Sequence, residues 1–380
     1  MKKIGILTYH YSINEGAILQ TYALSNICER LFPGYQVEIV DIRYPGTLKR
    51  DLKNCFAGKF NIRSLIWSLH RVWSLNKWSS KSLNLSKERY IVKKYEDSVR
   101  FLEEKKYDIL IVGSDEVWKI LKGLGSRPFP NLYWLGPNFT AKKISYAASA
   151  NKTNLDRISD QEMSFIKKSL DSFDNISVRD GFTFKFVNKI LPNKKITKVL
   201  DPTFLYNFEE FNLNKNRLKK SGFDFDKKTL LLNIKYNKIS KVAADYFKNK
   251  GWQIVAVSSF NKYADLNLLG NFAPEDWVSL YKKVDFVITD RFHGTIFSIK
   301  NKVPFVSVWK NKNNKILNLL TDLGLVDLFF HFKKDDFDLS DFYEKCNNVL
   351  KQKTDVFSDC EKNIKDKVEE SIGFLKQISI

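Results

Sequence analysis

The chain reads as an α/β protein of two Rossmann-like domains facing one another across a cleft, and three observations predict this. Its 380 residues exceed what one hydrophobic core comfortably organises and suit two units of roughly 150 to 200 residues each. Short apolar runs alternate with segments of helical period in two separate series, as parallel sheets wrapped by helices require. Many of those runs end in small or charged residues, at the strand ends where such sheets place ligands.

The first series opens with an apolar run at residues 3–8, a polar loop at 9–15 and a helix from Gly16. That helix carries Ile18, Leu19, Tyr22, Ala23 and Ile27 on one face and leads into a strand at 37–42, a βαβ opening. Further runs at 108–112, 144–148, 176–178 and 198–200 complete a first domain over residues 1–206. A polar, lysine-rich stretch at 207–228 reads as the connector. The second domain, residues 207–336, takes strands at 230–234, 253–257, 286–289 and 305–308, with helices at about 239–250, 274–283 and 295–300 between them. Residues 337–380 have helical period and are expected to cross back and brace the first domain.

An insertion at about 45–105 interrupts the first series. In it Ile62, Leu65, Ile66, Leu69, Val72 and Trp73 share a helical stripe beside Arg63, His70, Arg71 and Lys77, with Trp67 and Trp78 close by. Such a stripe either packs on the first domain or rests on an anionic membrane or lipid-linked substrate.

The formal net charge of +20 favours anionic partners. The charge is scattered and no recognition helix or aromatic-basic sheet motif is present, which argues against nucleic acid. Cysteines at 28, 55, 346 and 360 form no CxxC pair, so reduced thiols are expected. The apolar run after Met1 is too short for a signal peptide, and no segment approaches the ~18 apolar residues of a spanning helix. A cytoplasmic protein follows, at most peripheral at the inner face of the membrane. Dinucleotide, P-loop, zincin and nucleophile-elbow signatures are missing, and the four histidines at 10, 70, 293 and 331 are far apart. Neither a metal site nor a cofactor is expected.

The most informative run is residues 285–294, where an apolar strand ends on Asp290, Arg291, His293 and Gly294 and a helix follows. An acid, an arginine and a histidine so placed can bind an anion and move a proton. The competing reading is a turn in which Asp290 caps the helix and pairs with Arg291. Gly113-Ser114-Asp115-Glu116-Val117-Trp118 follows another strand and reads as a ligand loop. Gly113 would admit close approach, Ser114 and Asp115 would bond a sugar, and Trp118 would stack on it. A strand-terminal turn with a packed tryptophan fits equally well. Arg179 closes a further strand, either as a fork for a carboxylate or phosphate or as a salt bridge to Asp180 or Asp201. Asp201-Pro202 reads first as a turn device.

Together, the segments 14–20, 113–118, 145–149, 177–180, 201–203 and 289–294 resemble, in content, order and spacing, the polysaccharide pyruvyl transferase family. The resemblance runs from the first strand to about Val308. It implies a GT-B-like fold, phosphoenolpyruvate as donor and a sugar hydroxyl pair, often on a lipid-linked glycan, as acceptor. The implied products are a cyclic pyruvate ketal and phosphate. On this resemblance His293 is the acid or base, Arg291 and Arg179 hold the donor beside His293 and Gly294, and Asp290 orients His293 or Arg291. Gly113, Ser114, Asp115 and Trp118 serve the acceptor, with Asn14 and Glu15 near by and His10 secondary. Glu116, Lys119, Ala150 and Asn151 depart from the family pattern, which bears on the identity of the acceptor. Two alternatives compete: a GT-B-like glycosyltransferase using a nucleotide sugar, with Glu275 on the ribose and Trp277 or Phe272 beside the base, and a noncatalytic carbohydrate-binding partner in capsule assembly.

Overall fold

The computed structural model describes residues 1–56, 62–122, 127–151, 153–268, 272–310, 315–332 and 338–379. The first half runs β1 (Lys2–Leu7), α1 (Glu15–Leu31), β2 (Tyr35–Ile39), β3 (Ile42–Arg43), α2 (Pro45–Phe56), α3 (Ile62–Ser82), β4 (Tyr90–Ile91) and α4 (Tyr95–Glu104). It continues with β5 (Ile109–Asp115), β6 (Lys142–Ala148), α5 (Asp160–Asp171), β7 (Asn175–Val178), α6 (Gly181–Ile190), β8 (Ile196–Lys198) and α7 (Pro202–Leu205). Six of these strands form a parallel sheet in the order β2-β1-β5-β6-β7-β8. Its central strands, β1 and β5, are nearly continuous apolar runs, as burial on both faces demands.

The second half begins with α8 (Lys215–Lys220), β9 (Thr229–Asn233), α9 (Asn237–Lys248), β10 (Gln253–Ala256), β11 (Leu266–Asn267), α10 (Pro274–Leu280) and β12 (Phe286–Thr289). It ends with α11 (Phe292–Lys300), β13 (Phe305–Trp309), α12 (Lys315–Leu323), β14 (Phe329–His331), α13 (Leu339–Gln352) and α14 (Glu361–Lys376). Its sheet is also parallel, in the order β11-β10-β9-β12-β13-β14. The lysine-rich connector is packed rather than loose: Leu218 of α8 is fully buried, and Arg217 pairs with Asp276 of α10 at 2.9 Å.

α1 is capped by Asn14, whose Oδ1 accepts from the amides of Gly16 and Ala17. Its buried face lies on β5, and a side chain at Gly113 would meet Leu24 at 2.2 Å, so glycine there permits helix and strand to close on one another. α13 packs on the second sheet through Phe342, Cys346 and Val349, whereas α14 returns to the first. Ser371 Oγ on α14 accepts from the Leu200 amide at 2.9 Å, and Phe374 lies against Tyr146.

The insertion helix α3 does pack on the first domain, but through a face other than its apolar stripe. Trp67, Leu75 and Trp78 point inward, Trp78 against Tyr22 and Phe211, while Ile62, Leu65, Ile66, Leu69 and Trp73 face outward. The polar Arg71 and Ser74 belong to the inner face because they find partners there: Glu15 and the Phe272 carbonyl.

Candidate active site

The carboxyl ends of both sheets open onto a cavity of about 830 Å³. A second depression, about 630 Å³, lies at the amino ends of β7 and β8 among Lys167, Lys194 and Lys195, away from the ends where such sheets bind ligands. The first cavity is bordered by Asn14, Glu15 and Gly16 from α1, Asp115 and Glu116 after β5, and Asp290, Arg291, His293 and Gly294 from the β12–α11 turn.

His293 occupies the first turn of α11 and reaches across to the first domain. Its Nε2 is 3.5 Å from Asp201 Oδ2, an ion-pair distance rather than a made hydrogen bond. Its other ring edge rests on α1, where a side chain at Gly16 would meet Nδ1 at 2.2 Å. Glycine at 16 is therefore a condition for the imidazole's position. Gly294 serves packing in the same way, since a side chain there would meet Thr289 Oγ1 at 2.4 Å.

Asp201 is the hub that the sequence presents as a turn. It does cap α7, with Oδ1 accepting from the Thr203 amide and hydroxyl. Its Oδ2 also receives Ser114 Oγ at 3.0 Å and Arg179 Nη1 at 2.9 Å and faces His293. Burial opposes the charge on Asp201, but His293 and Arg179 more than offset it and hold the carboxyl well below its usual range. Its place in the Asp201-Pro202-Thr203 motif and the salt bridge open to Arg179 are the signals by which the sequence points to it.

Several expected site residues lie outside the cavity, and Asp290 lines it in another role. Arg179 is buried with its two terminal nitrogens on Asp201 and Asp115 and its plane 4.6 Å from the Phe292 ring centre, so it is a strut behind the cavity rather than a fork aimed into it. Gly113 and Ser114 belong to β5 itself and are fully enclosed. Trp118 is completely buried, donates from Nε1 to the Tyr133 carbonyl at 2.8 Å and stacks on Trp134, leaving no face for a sugar. His10 is enclosed in the first domain with Nε2 on Asp41 at 2.9 Å. Asp290 does not touch His293. Its Oδ2 accepts from the Lys235 amide, its Oδ1 is 2.9 Å from Arg291 Nε, and burial raises its pKa against the pull of Arg291.

The residues that do reach the cavity differ in charge from wall to wall. Arg291, about one-third exposed, projects from the second domain. The N-cap residues of α11 and α9, Arg291 and Tyr236, make no side-chain cap bond, so both helices present open N-termini beside Arg291 and Lys235. Opposite them, Glu15 holds Arg71 of α3 in a bidentate pair at 2.7 Å for both bonds. Burial works against the Glu15 carboxylate, yet Arg71 lowers its pKa. Asp115 sits at φ 77°, a left-handed conformation costing roughly 1 kcal/mol, and is held there by Arg179 and by the Glu116 amide on Oδ1. Glu116 joins Lys119 and Asn151 to Lys315 of α12, binding the two halves across one rim. Three of the positions that depart from the family pattern thus form one cluster, and sequence reading flagged them without revealing that they touch. Trp277 lines the cavity with Nε1 on Ser258, whereas Phe272 and Glu275 do not reach it.

Two parallel α/β domains with a ligand cleft between their carboxyl edges define a GT-B-like protein. Solved structures agree at the level of fold. UDP-GlcNAc 2-epimerase from Neisseria meningitidis, bound to UDP-GlcNAc, is similar with TM-score 0.58 at 9% identity, covering 99% of this chain and 100% of that one. Sucrose-phosphate synthase from Thermosynechococcus elongatus gives 0.52 at 9% over 100% and 98%. UDP-GlcNAc 2-epimerase from Methanocaldococcus jannaschii gives 0.51 at 11% over 93% of each chain. A search of curated proteins finds no match. The polysaccharide pyruvyl transferase profile matches residues 14–311, most of the chain. The chain belongs to the polysaccharide pyruvyl transferase family and is a transferase.

Proposed function

We propose that this chain transfers the enolpyruvyl group of phosphoenolpyruvate onto a pair of sugar hydroxyls of a surface polysaccharide or its lipid-linked precursor, in the cytoplasm. The observation that carries the reading is His293 at the cavity, facing the Asp201 carboxylate and flanked by Arg291 and an uncapped helix N-terminus.

In the proposed reaction, C3 of the enol takes a proton and C2 becomes cationic. One acceptor hydroxyl adds to C2, the C2–O bond to phosphate breaks, and the second hydroxyl closes the ring. Of the two hydroxyl protons, one balances that gained at C3 and the other leaves with phosphate. His293, at the cavity and 3.5 Å from Asp201 Oδ2, is suited as an imidazole both to give the first proton and to take one back from a hydroxyl. Arg291 and the amides opening α11 suit the donor's carboxylate and phosphate. Glu15, Asp115 and Asn14 stand on the facing wall, where the acceptor would lie. Arg179 acts behind them by fixing Asp201.

The test is phosphate release from phosphoenolpyruvate with pooled nitrophenyl or lipid-linked sugars, comparing the parent with His293→Ala. Acceptor-dependent release that falls roughly 10²–10⁴-fold in the variant is expected. Equal release from both would remove His293 from the chemistry. The GT-B neighbours keep a nucleotide-sugar donor as the second reading. Stabilisation by a nucleotide sugar, with no release from phosphoenolpyruvate, would favour it.

A further inference from the structure

α3 has two faces of opposite purpose. Inward, Arg71 grips Glu15 at the cavity wall and Ser74 Oγ donates to the Phe272 carbonyl of the second domain at 3.2 Å. Outward, Ile62 (72% exposed), Leu65 (41%), Ile66 (50%), Leu69 (54%) and Trp73 (62%) form a continuous ridge over three turns. A monomer gains nothing by holding five large apolar side chains in water along one helix face. The 21 residues Ile62–Ser82 include no Asp or Glu, and His70, Lys77 and Lys81 fall on one shoulder of the ridge at helical spacing. Lys77 Nζ lies 4.7 Å from the Trp73 ring centre, a tryptophan and ammonium arranged as at a bilayer interface. None of the described helices is long and apolar enough to cross a membrane, so contact by this ridge would be at the surface.

We infer that the outer face of α3 is a docking surface for an anionic phospholipid bilayer. The ridge enters the acyl boundary, the basic shoulder meets the headgroups, and the cavity is held beside the membrane because the same helix forms part of its wall. That this delivers a lipid-carried acceptor rests on the pyruvyl-transfer reading. The docking itself does not.

Flotation of the full chain with phosphatidylcholine vesicles, alone or mixed with phosphatidylglycerol, tests it without any turnover. Binding to the anionic vesicles should exceed binding to neutral ones by at least about tenfold and fall by a similar factor in Leu69→Glu/Trp73→Glu. That variant should keep the parent's turnover on a water-soluble acceptor, since neither residue touches the cavity. In the parent, brominated lipid should quench fluorescence that Trp73→Phe no longer contributes, a readout that survives if the double variant folds poorly. No flotation with anionic vesicles, or flotation unchanged by the double substitution, overturns the inference. So does a parent dimer that the double substitution splits, which would give the ridge to a second copy of the chain. Failure here with phosphate release intact would leave the transfer reading standing, and the converse result would leave the docking surface.

Discussion

A hydrogen atom at position 16 decides where the imidazole of His293 sits. Gly16→Ala would place a methyl 2.2 Å from Nδ1, so the ring must move while α1 and its Asn14 cap stay in place. Turnover should fall roughly 10- to 100-fold with little change in melting temperature, checked by steady-state kinetics beside a thermal melt. Asp201 ties stability to acid pH. Its pKa lies below the ordinary 3.8 in the folded state, so its stabilisation is present above that pH and is lost as pH falls below it. Asp201→Asn should flatten the acid limb of a pH–stability curve below pH 3.8. Residue identity placed Asp290, Arg291 and His293 together at a strand end, and all three line the cavity. It left two readings each for Trp118 and Arg179, since an indole or a guanidinium reads the same whether it meets a ligand or a neighbour, and tertiary packing chose the neighbour for both.

Among the elements, α3 is the one whose periodicity was visible and whose orientation was not. The stripe Ile62, Leu65, Ile66, Leu69 and Trp73 obeys the helical repeat expected of a buried face, yet the buried face is Trp67, Arg71, Ser74, Leu75 and Trp78. Arg71 is inside because Glu15 waits for it at the start of α1, a pairing over 56 residues that no local pattern encodes. Arg71→Ala would leave Glu15 buried without its main counter-charge and should cost about 3–5 kcal/mol in chemical denaturation. Arg71→Ala with Glu15→Gln should recover part of that loss. The strands were easier to read, because a parallel sheet covered on both faces writes itself as short apolar runs.

For the whole molecule, polar groups cross between the two halves at the cleft floor and rim, beside the apolar contact of Tyr22 and Trp78 with Phe211. His293 faces Asp201, Lys315 binds Glu116, Lys198 binds Asp322 at 2.6 Å, and Lys300 Nζ donates to the Phe204 and Tyr206 carbonyls at 2.9 and 2.8 Å. Burial lowers the Lys300 pKa from 10.5 to about 8. The unfolded chain therefore holds more protons there between those values, and stability from this group rises as pH climbs from about 8 towards 10.5. Urea unfolding between these limits should show that rise in the parent and a flatter profile in Lys300→Met.

What the chain moves decides its function. Incubating the chain with carbon-labelled phosphoenolpyruvate and an acceptor sugar, then weighing the acceptor by mass spectrometry while counting phosphate, tests it most directly. Pyruvyl transfer gives an acceptor that carries all three labelled carbons as a ketal, with one phosphate released for each. An acceptor that instead gains a sugar from an added nucleotide sugar, with phosphoenolpyruvate untouched, would contradict it.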